Sequence, residues 1–305
     1  MKTKKWTKTE LAFYIGTLAV PVVQVLLFYI YVNFNSIMLS FKEYTQVEGT
    51  ELWEYSFNGF SNYVNVIKDM FDSSVLQTAM GNSLKLFFFT LIFGVFLSSI
   101  FAYYIYKKQP LSQFFRMVLF IPQIVSSVIM VLIFKYVAEE LVPEMARIIF
   151  GVERMKGLLT NADTQFGAVL FYSVFISYGA NLLLFSGAMS EINESVIEAG
   201  KLDGVNVFQE YIHIIFPSIW PTMITLVVVS IAGIFANQAN LYTLYGTNAE
   251  YSIQVMGYYM YSKTSVATYA DYPYLAAMGV IFTLVLFPIT MFVRKAMYKY
   301  GPSVE

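Results

Sequence analysis

The sequence predicts an all-α integral membrane protein built on six transmembrane helices, and three observations predict it. Of 305 residues, 57% are hydrophobic and only 13% charged, with a mean hydropathy of +0.59; water-soluble domains carry roughly a quarter charged residues. The apolar residues fall in stretches of about 20, the length a helix rising ~1.5 Å per residue needs to cross a ~30 Å hydrocarbon core. The chain has no cysteine and one histidine, His213, which excludes disulfides, thiol catalysis and Cys-ligated metal, and argues against a multi-His metal site. With a net charge of −1 there is no electrostatic footprint for nucleic acid.

The spans follow in order. The first, 11–32, is longer than a signal-peptide core and has no small-x-small site behind it, so it reads as a retained helix. The second is 86–106. The third, 114–137, carries Arg116 and Lys135 near its ends, where they can snorkel, and Pro122-Gln123 inside. The fourth is 166–187. The fifth is 217–238, with its apolar stretch between Pro221 and Asn237, and the sixth is 274–293. Residues 1–305 read as a single transmembrane domain, with no internal repeat and no second soluble domain.

Orientation follows from the flanking cations. Lys2, Lys4, Lys5 and Lys8 precede the first span, Lys107, Lys108 and Arg116 surround the turn between the second and third, and Arg294, Lys295 and Lys299 follow the sixth. With Lys201 these make 11 of the 19 basic residues on one side, against 7 of the 20 acidic ones. That side is expected to be cytoplasmic, with both termini inside, as an even span count requires. The outer segments, 34–85, 138–165 and 238–273, are acidic and rich in Tyr, Asn and Ser. Trp53, Tyr55, Phe57 and Phe60 suggest a packed cap in the first. Glu139 and Glu140, at an outer helix end, read as solvated, and many of the 24 tyrosines as belt anchors.

The inner segment 189–216 does not read as a loop. Asn193 is a plausible N-cap with Glu194 at the positive helix end. Ile192, Val196 and Ala199 fall on one helical face; Glu194, Glu198 and Lys201 fall on the other, where Glu198 and Lys201 can pair. Asp203-Gly204 signals a turn, and Asn206 with Gln209 resembles a capping box for a second short helix carrying Phe208, Tyr211, Ile212 and Ile215. Pro217 and Pro221 then restart the chain as a membrane helix. Two readings fit a helix–sharp turn–helix on the cytoplasmic face: amphipathic helices resting on the bilayer, or a docking element for another protein. Interfacial helices usually carry Lys or Arg on their polar face; this one carries acid, which favours docking on protein.

The stretch Glu198-Ala199-Gly200-x-x-Asp203-Gly204, nine residues, Ile214-x-Phe216-Pro217 resembles the EAA coupling loop of ABC importer permeases, the form E-A-A, three residues, G, nine residues, I-x-L-P. Gly200 stands for the second Ala and Phe216 for Leu. Phe115-Arg116 and Phe120-Ile121-Pro122 are similar to the F-R…F-x-P segment of carbohydrate-type permeases. Tyr178-Gly179 with Leu182-Leu183 is loosely similar to their W-x-x-G-x-x-M region, and Phe235, Asn237, Asn240 and Leu241 to their F-N-x-x-N stretch. The resemblance covers most of the chain and implies the type I importer permease fold of the maltose-type first-permease group.

The resemblance implies function as follows. The chain forms half of a translocation path in a bacterial or archaeal cytoplasmic (inner) membrane, paired with a second permease. Two ATP-binding subunits, identical or different, dock on the coupling loop, and an extracellular or periplasmic binding protein delivers a carbohydrate, expected to be an oligosaccharide. The chain lacks G-x-x-x-x-G-K-[ST], so it is expected to be non-catalytic and cofactor-free, with ATP and Mg2+ used by the partner ATPases. Glu198, Ala199, Gly200, Asp203, Gly204 and Pro217 would form the coupling contact, with Glu198 facing a basic group on the ATPase.

A path for an uncharged solute needs polar groups at membrane depth. Gly233, Asn237 and Asn240 stand at i, i+4, i+7 on one helical face, and Tyr178 and Asn181 are three apart beside Phe175. Amides suit hydroxyls and rings suit a sugar's C–H faces; the other reading is that these residues join helix to helix. The span centres carry no acid, which argues against proton- or sodium-driven transport. They offer no cations for glycerol phosphate or peptide carboxylates, no acids for a polyamine, and no cluster for a membrane-embedded enzyme. A channel would leave the cytoplasmic helix–turn–helix unexplained.

Overall fold

The computed structural model describes residues 7–47, 51–152 and 155–302; Lys2, Lys4 and Lys5, used above for orientation, lie outside them. The chain divides into two compact units, Met1–Asp69 with Val266–Thr283, and Met70–Ser265 with Leu284–Glu305. Among the described residues, four helices are long and apolar enough to cross a membrane, or up to six if each of two bent pairs is one span.

In the first unit, helix α1 (Lys8–Ser40) starts at a capping box: the Glu10 amide donates to the Thr7 hydroxyl (3.3 Å) and the Thr7 amide to the Glu10 carboxylate (2.9 Å). It contains the expected span 11–32 and runs on to Ser40. Its apolar window has no buried residue, the pattern of a helix meant for lipid or another subunit. Strands β1 (Lys42–Gln46) and β2 (Trp53–Phe57) form an antiparallel hairpin in which Tyr44 faces Tyr55. Helix α2 (Ser61–Asp72) follows, and Asn62 ties it back by donating to the carbonyls of Ser40 (2.9 Å) and Lys42 (2.7 Å). The expected packed cap is a set of ring contacts rather than a buried core: Tyr44 stacks on Trp53 (5.6 Å between centroids) and Phe41 meets Phe60 edge-on (5.3 Å). Tyr55 is half-buried and donates to the Tyr269 carbonyl (3.0 Å), but Trp53, Phe57 and Phe60 are exposed. A two-stranded ribbon has too little area to cover both of its faces.

The second unit opens with α3 (Ser74–Tyr106), which starts twelve residues before the expected Leu86 and includes a π-helical stretch, Thr90–Phe96. The expected third span is two helices, α4 (Ser112–Ile124) and α5 (Ser127–Phe150), bent by 112°. Pro122 supplies no N–H to the last turn of α4, and Val125 (ψ 144°) and Ser126 (ψ 135°) are extended. Helix α5 ends at Gly151, left-handed at φ +67°.

Helix α6 (Gln165–Ser190) contains the expected fourth span. Helices α7 (Glu194–Leu202) and α8 (Val207–Ser218) follow, and α8 meets α9 (Trp220–Ala232) at a 67° bend. The fifth span therefore stops at Ala232 rather than 238. Gly233 caps it, and the Ala239 amide donates to the Asn237 side chain (2.8 Å) in a local turn that competes with helix. Helices α10 (Leu241–Tyr245) and α11 (Met256–Ser265) complete this segment. Helix α12 (Tyr272–Tyr300) gives its residues up to Thr283 to the first unit and the rest to the second.

The core of the second unit joins α3, α5, α6, α10 and α11 through Leu86, Val131, Val169, Tyr172, Leu241 and Tyr258. Its polar groups are paired: Asn82 donates to the carbonyls of Ser252 (2.8 Å) and Gln254 (3.0 Å), and the Met256 amide donates to Ser83 (2.8 Å). Glu139, expected to be solvated, instead accepts from the Leu159 amide (2.7 Å) and the Thr160 hydroxyl (2.6 Å). Small residues allow close helix approach: a Cβ on Gly179 would lie 2.3 Å from the Leu119 carbonyl oxygen of α4.

Candidate coupling segment and translocation cavity

The segment 191–218 is shaped by local chemistry. Asn193 caps α7 by accepting from the Ser195 amide (3.0 Å). At its other end the Val205 amide donates to Gly200 O (3.1 Å) and the Gly204 amide to Lys201 O (3.2 Å). That is a Schellman closure, and it requires a left-handed residue, met by Gly204 at φ +76°. Helix α8 then opens with the Asn206–Gln209 capping box, both bonds 2.9 Å.

The buried faces differ from those expected. On α7 the inward residues are Ile197 and Gly200, while Val196 and Ala199 are exposed, with Leu202 89% exposed. A Cβ on Gly200 would meet Ile214 Cδ1 at 2.7 Å, so the departure from a second Ala suits a close approach of α7 to α8. Glu198 is exposed, and among the described residues it makes no ion pair with Lys201. Asp203 is exposed at the turn. Pro217 is half-buried just after the π-helical stretch Tyr211–Ile215. On α8, Ile215 and Glu210 face inward, and Phe208 and Ile212 face outward. His213 is exposed, its Nδ1 3.0 Å from the Gln209 carbonyl.

Three polar contacts fasten α8 to the end of α3. Lys107 Nζ bonds both Glu210 oxygens (3.0 and 2.9 Å), Tyr103 donates to the Val207 carbonyl (3.2 Å), and the hydroxyls of Ser99 and Tyr211 lie 2.7 Å apart. Sequence reasoning missed all three. The one available signal was Glu210, a single acid immediately before the apolar run of α8.

Elsewhere in the unit, α3, α6 and α9 line a cavity of about 300 Å3. Its polar lining is Ser83, Thr90, Ser173, Ser177, Ser230, Asn181 and Asn237, with no charged residue. Asn181 donates to the Gly94 carbonyl (2.8 Å) inside the π-helical stretch of α3. Among the described residues its Oδ1 has no further partner, and neither has Nδ2 of Asn237.

The structure thus brings Asn181 and Asn237 to one cavity with Gly233. It does not bring Phe175, Tyr178 or Asn240 there. Tyr178 is buried and donates to the Leu97 carbonyl (3.3 Å), joining helix to helix. Phe175 stacks on Phe171 at 6.4 Å. Asn240 sits at φ +56° beyond the end of α9, so the helical i, i+4, i+7 spacing does not apply to it. The four serines and the threonine of the lining were missed because hydroxyls are common in membrane helices and carry no periodic signal.

A family model described as "Binding-protein-dependent transport system inner membrane component" matches residues 94–299, which include the segment 191–218 and the α6 and α9 walls of the cavity. The chain belongs to this family. The permease is similar to the Arabinooligosaccharides transport system permease protein AraP of Bacillus subtilis (strain 168), 24% identical over 276 residues, covering 88% of this chain and 83% of that one. It is also similar to the Multiple sugar-binding transport system permease protein MsmF of Streptococcus mutans, 21% identical over 284 residues, covering 93% and 94%. Its fold matches a chain of a bacterial alginate ABC transporter, solved in complex with alginate pentasaccharide-bound periplasmic protein. The TM-score is 0.78 at 19% identity over 98% of both chains. The permease therefore has the type I ABC importer fold, as a multi-pass membrane component.

Proposed function

We propose that this permease forms half of the import path for an oligosaccharide, in complex with a second permease, two ATP-hydrolysing subunits and an extracytoplasmic binding protein. The observation that carries the substrate class is the 300 Å3 cavity lined by hydroxyls and two amides without a charged residue. Asn181 offers an acceptor and Asn237 a donor, the pair a sugar hydroxyl uses. A phosphate, carboxylate or polyamine would call for opposite charge. The named substrates of AraP and MsmF are sugars, which supports the same class here.

The segment 189–216 is the coupling element, on the cytoplasmic side with both termini. Its exposed Glu198, Ala199, Val196 and Leu202 would seat in an ATPase, and the Gly204 turn holds α7 and α8 in one shape. The chain itself hydrolyses nothing. ATP and Mg2+ belong to the partners.

The test is ATP hydrolysis by the reconstituted assembly. It should be stimulated by binding protein loaded with oligosaccharide and not by glycerol phosphate, spermidine or a peptide. Asn237→Ala should raise the half-saturating sugar concentration up to about tenfold, the loss of one hydrogen bond. Glu198→Lys or Gly204→Asp should abolish stimulation while membrane insertion persists. Stimulation by a charged solute alone would overturn the substrate class, and full turnover in both coupling variants would overturn the coupling role.

A further inference from the structure

A further cavity of the second unit is separate from the one just described. About 860 Å3 in volume, it lies between the end of α3, the start of α4 and the last turn of α6. Two cations line it, Lys108 and Arg116, together with the hydroxyl-bearing Ser112 and Ser186 and the apolar side chains of Leu111 and Phe114. Both cations are exposed, and neither has an acidic partner among the described residues. Arg116 lies over the Phe120 ring, 5.8 Å from its centroid. Ser186 Oγ is buried and is the one buried side-chain polar atom among the described residues without a hydrogen-bond partner. A buried hydroxyl of that kind needs a reason.

The backbone around this cleft is also unusual. Lys108 and Leu111 hold left-handed conformations, φ +50° and +62°, that L side chains seldom adopt. The turn they make separates two adjacent lysines: Lys107 goes to Glu210, while Lys108 goes to the cleft. The cleft lies where α3 ends, α4 begins and α6 ends; in a bilayer crossed by α3 and α6 those ends would meet the lipid headgroups, and Leu111 and Phe114 are exposed at the rim.

We propose that this cleft binds an anionic phospholipid. Lys108 and Arg116 would hold the headgroup phosphate, Ser186 would donate to one of its oxygens, and the acyl chains would lie along Leu111 and Phe114. Paired cations and a hydroxyl fit a phosphate, and basic pockets between membrane helices take lipid headgroups in this way. The apolar rim selects a lipid over a soluble phosphate. This inference rests on the membrane fold and not on the sugar reading, so transport assays do not enter its test.

The experiment is native mass spectrometry of the full-length chain released from neutral detergent. It would be titrated with phosphatidylglycerol, with phosphatidylcholine, or with inorganic phosphate. The expected result is one saturable phosphatidylglycerol adduct, absent with phosphatidylcholine and with inorganic phosphate. Lys108→Gln/Arg116→Gln should weaken it roughly 25-fold, about fivefold per cation. Ser186→Ala should weaken it by a smaller factor, and Lys295→Gln should leave it unchanged. Melting temperatures in neutral detergent, unchanged across these variants, would show that each is folded. An adduct of equal strength in the double variant would overturn the site. Binding of inorganic phosphate as tight as that of phosphatidylglycerol would overturn the lipid.

Discussion

The contact between Lys107 and Glu210 is the sharpest place to perturb this molecule. The Glu210 side chain is 4% exposed and that of Lys107 is 19% exposed, with Nζ 2.9 Å from Oε2. Lys107→Met leaves a buried carboxylate with no counter-charge, and breaking a buried pair in this way costs about 3–5 kcal/mol. Water can reach the lysine side, so the lower end applies, about 3 kcal/mol. That is roughly a 150-fold increase in the local opening of α8 from α3. Glu210→Gln is milder, about 1–2 kcal/mol, because the amide keeps the volume and an oxygen that Lys107 can still bond. The double variant should cost less than the sum of the two, with a coupling of about 2 kcal/mol. Amide hydrogen exchange over residues 207–215 of the full chain reads all three, with Lys108→Met as the neighbouring control expected to change nothing there. Strict additivity, or equal exchange in Lys107→Met and Lys108→Met, would refute the reasoning.

Glu139→Ala should free the 157–160 turn, because the carboxylate accepts from Leu159 N and Thr160 Oγ1; limited proteolysis between residues 155 and 165 should quicken while the rest of the chain keeps its protection. The Tyr245 phenol donates to the Leu159 carbonyl (2.9 Å), and burial first, then the Glu139 and Glu250 charges, pushes it up to about 12 from an ordinary 10. The folded state holds this proton more tightly than the unfolded chain, so its stabilisation is complete below pH 10 and is lost as pH rises towards 12. Near-ultraviolet circular dichroism should show that step in the native chain and not in Tyr245→Phe. Gly179→Ala should destabilise by about 1–3 kcal/mol, because its Cβ would meet backbone, the Leu119 carbonyl, at 2.3 Å. Gly94→Ala should cost less, since its Cβ would meet only the rotatable Ser177 hydroxyl at 2.9 Å; thermal unfolding should rank the two in that order.

What was legible in the sequence was what is locally determined. Asn193, Asn206 with Gln209, and Gly204 set their caps and turn through neighbours within a few residues, so the helix–turn–helix was readable in outline. Which faces of α7 and α8 turn inward was not, because that depends on Ile214 packing against Gly200 and on the distant partners Ser99, Tyr103 and Lys107. Pro122 stands inside the third span, but the 112° bend falls at Val125 and Ser126, where the one local signal is Ser126, a residue type common at helix starts. Gly233 was counted as part of a helical face although it ends the helix. Of the expected path residues, Asn181 and Asn237 reach the cavity; Tyr178 and Phe175 share the helix of Asn181 but point to other neighbours. A list of polar positions on one span does not say which neighbouring helix each will meet.

Helix α3 links these findings physically. An ordinary α-helix has no spare carbonyls at mid-membrane, where an unpaired one is costly. The π-helical stretch Thr90–Phe96 disturbs that regular pairing. Asn181 on Gly94 O, with Tyr178 on Leu97 O just beyond it, provides α6 donors at this irregularity. Thr90 in the same stretch lines the polar cavity. At its far end the same helix is held to α8 by Lys107, Tyr103 and Ser99. A displacement of the segment 189–216 would therefore pull on α3, the helix that carries both the anchoring contacts and a cavity wall. Were that helix to change its register with α6, the π-helical stretch would let it do so by exchanging side-chain partners rather than by breaking backbone bonds in lipid. On this argument Asn181→Leu should harm coupling more than Asn237→Leu, although both remove one amide from the cavity. Sugar-stimulated ATP hydrolysis in the reconstituted assembly would show the difference, and equal losses would mean that α3 carries no signal to the cavity.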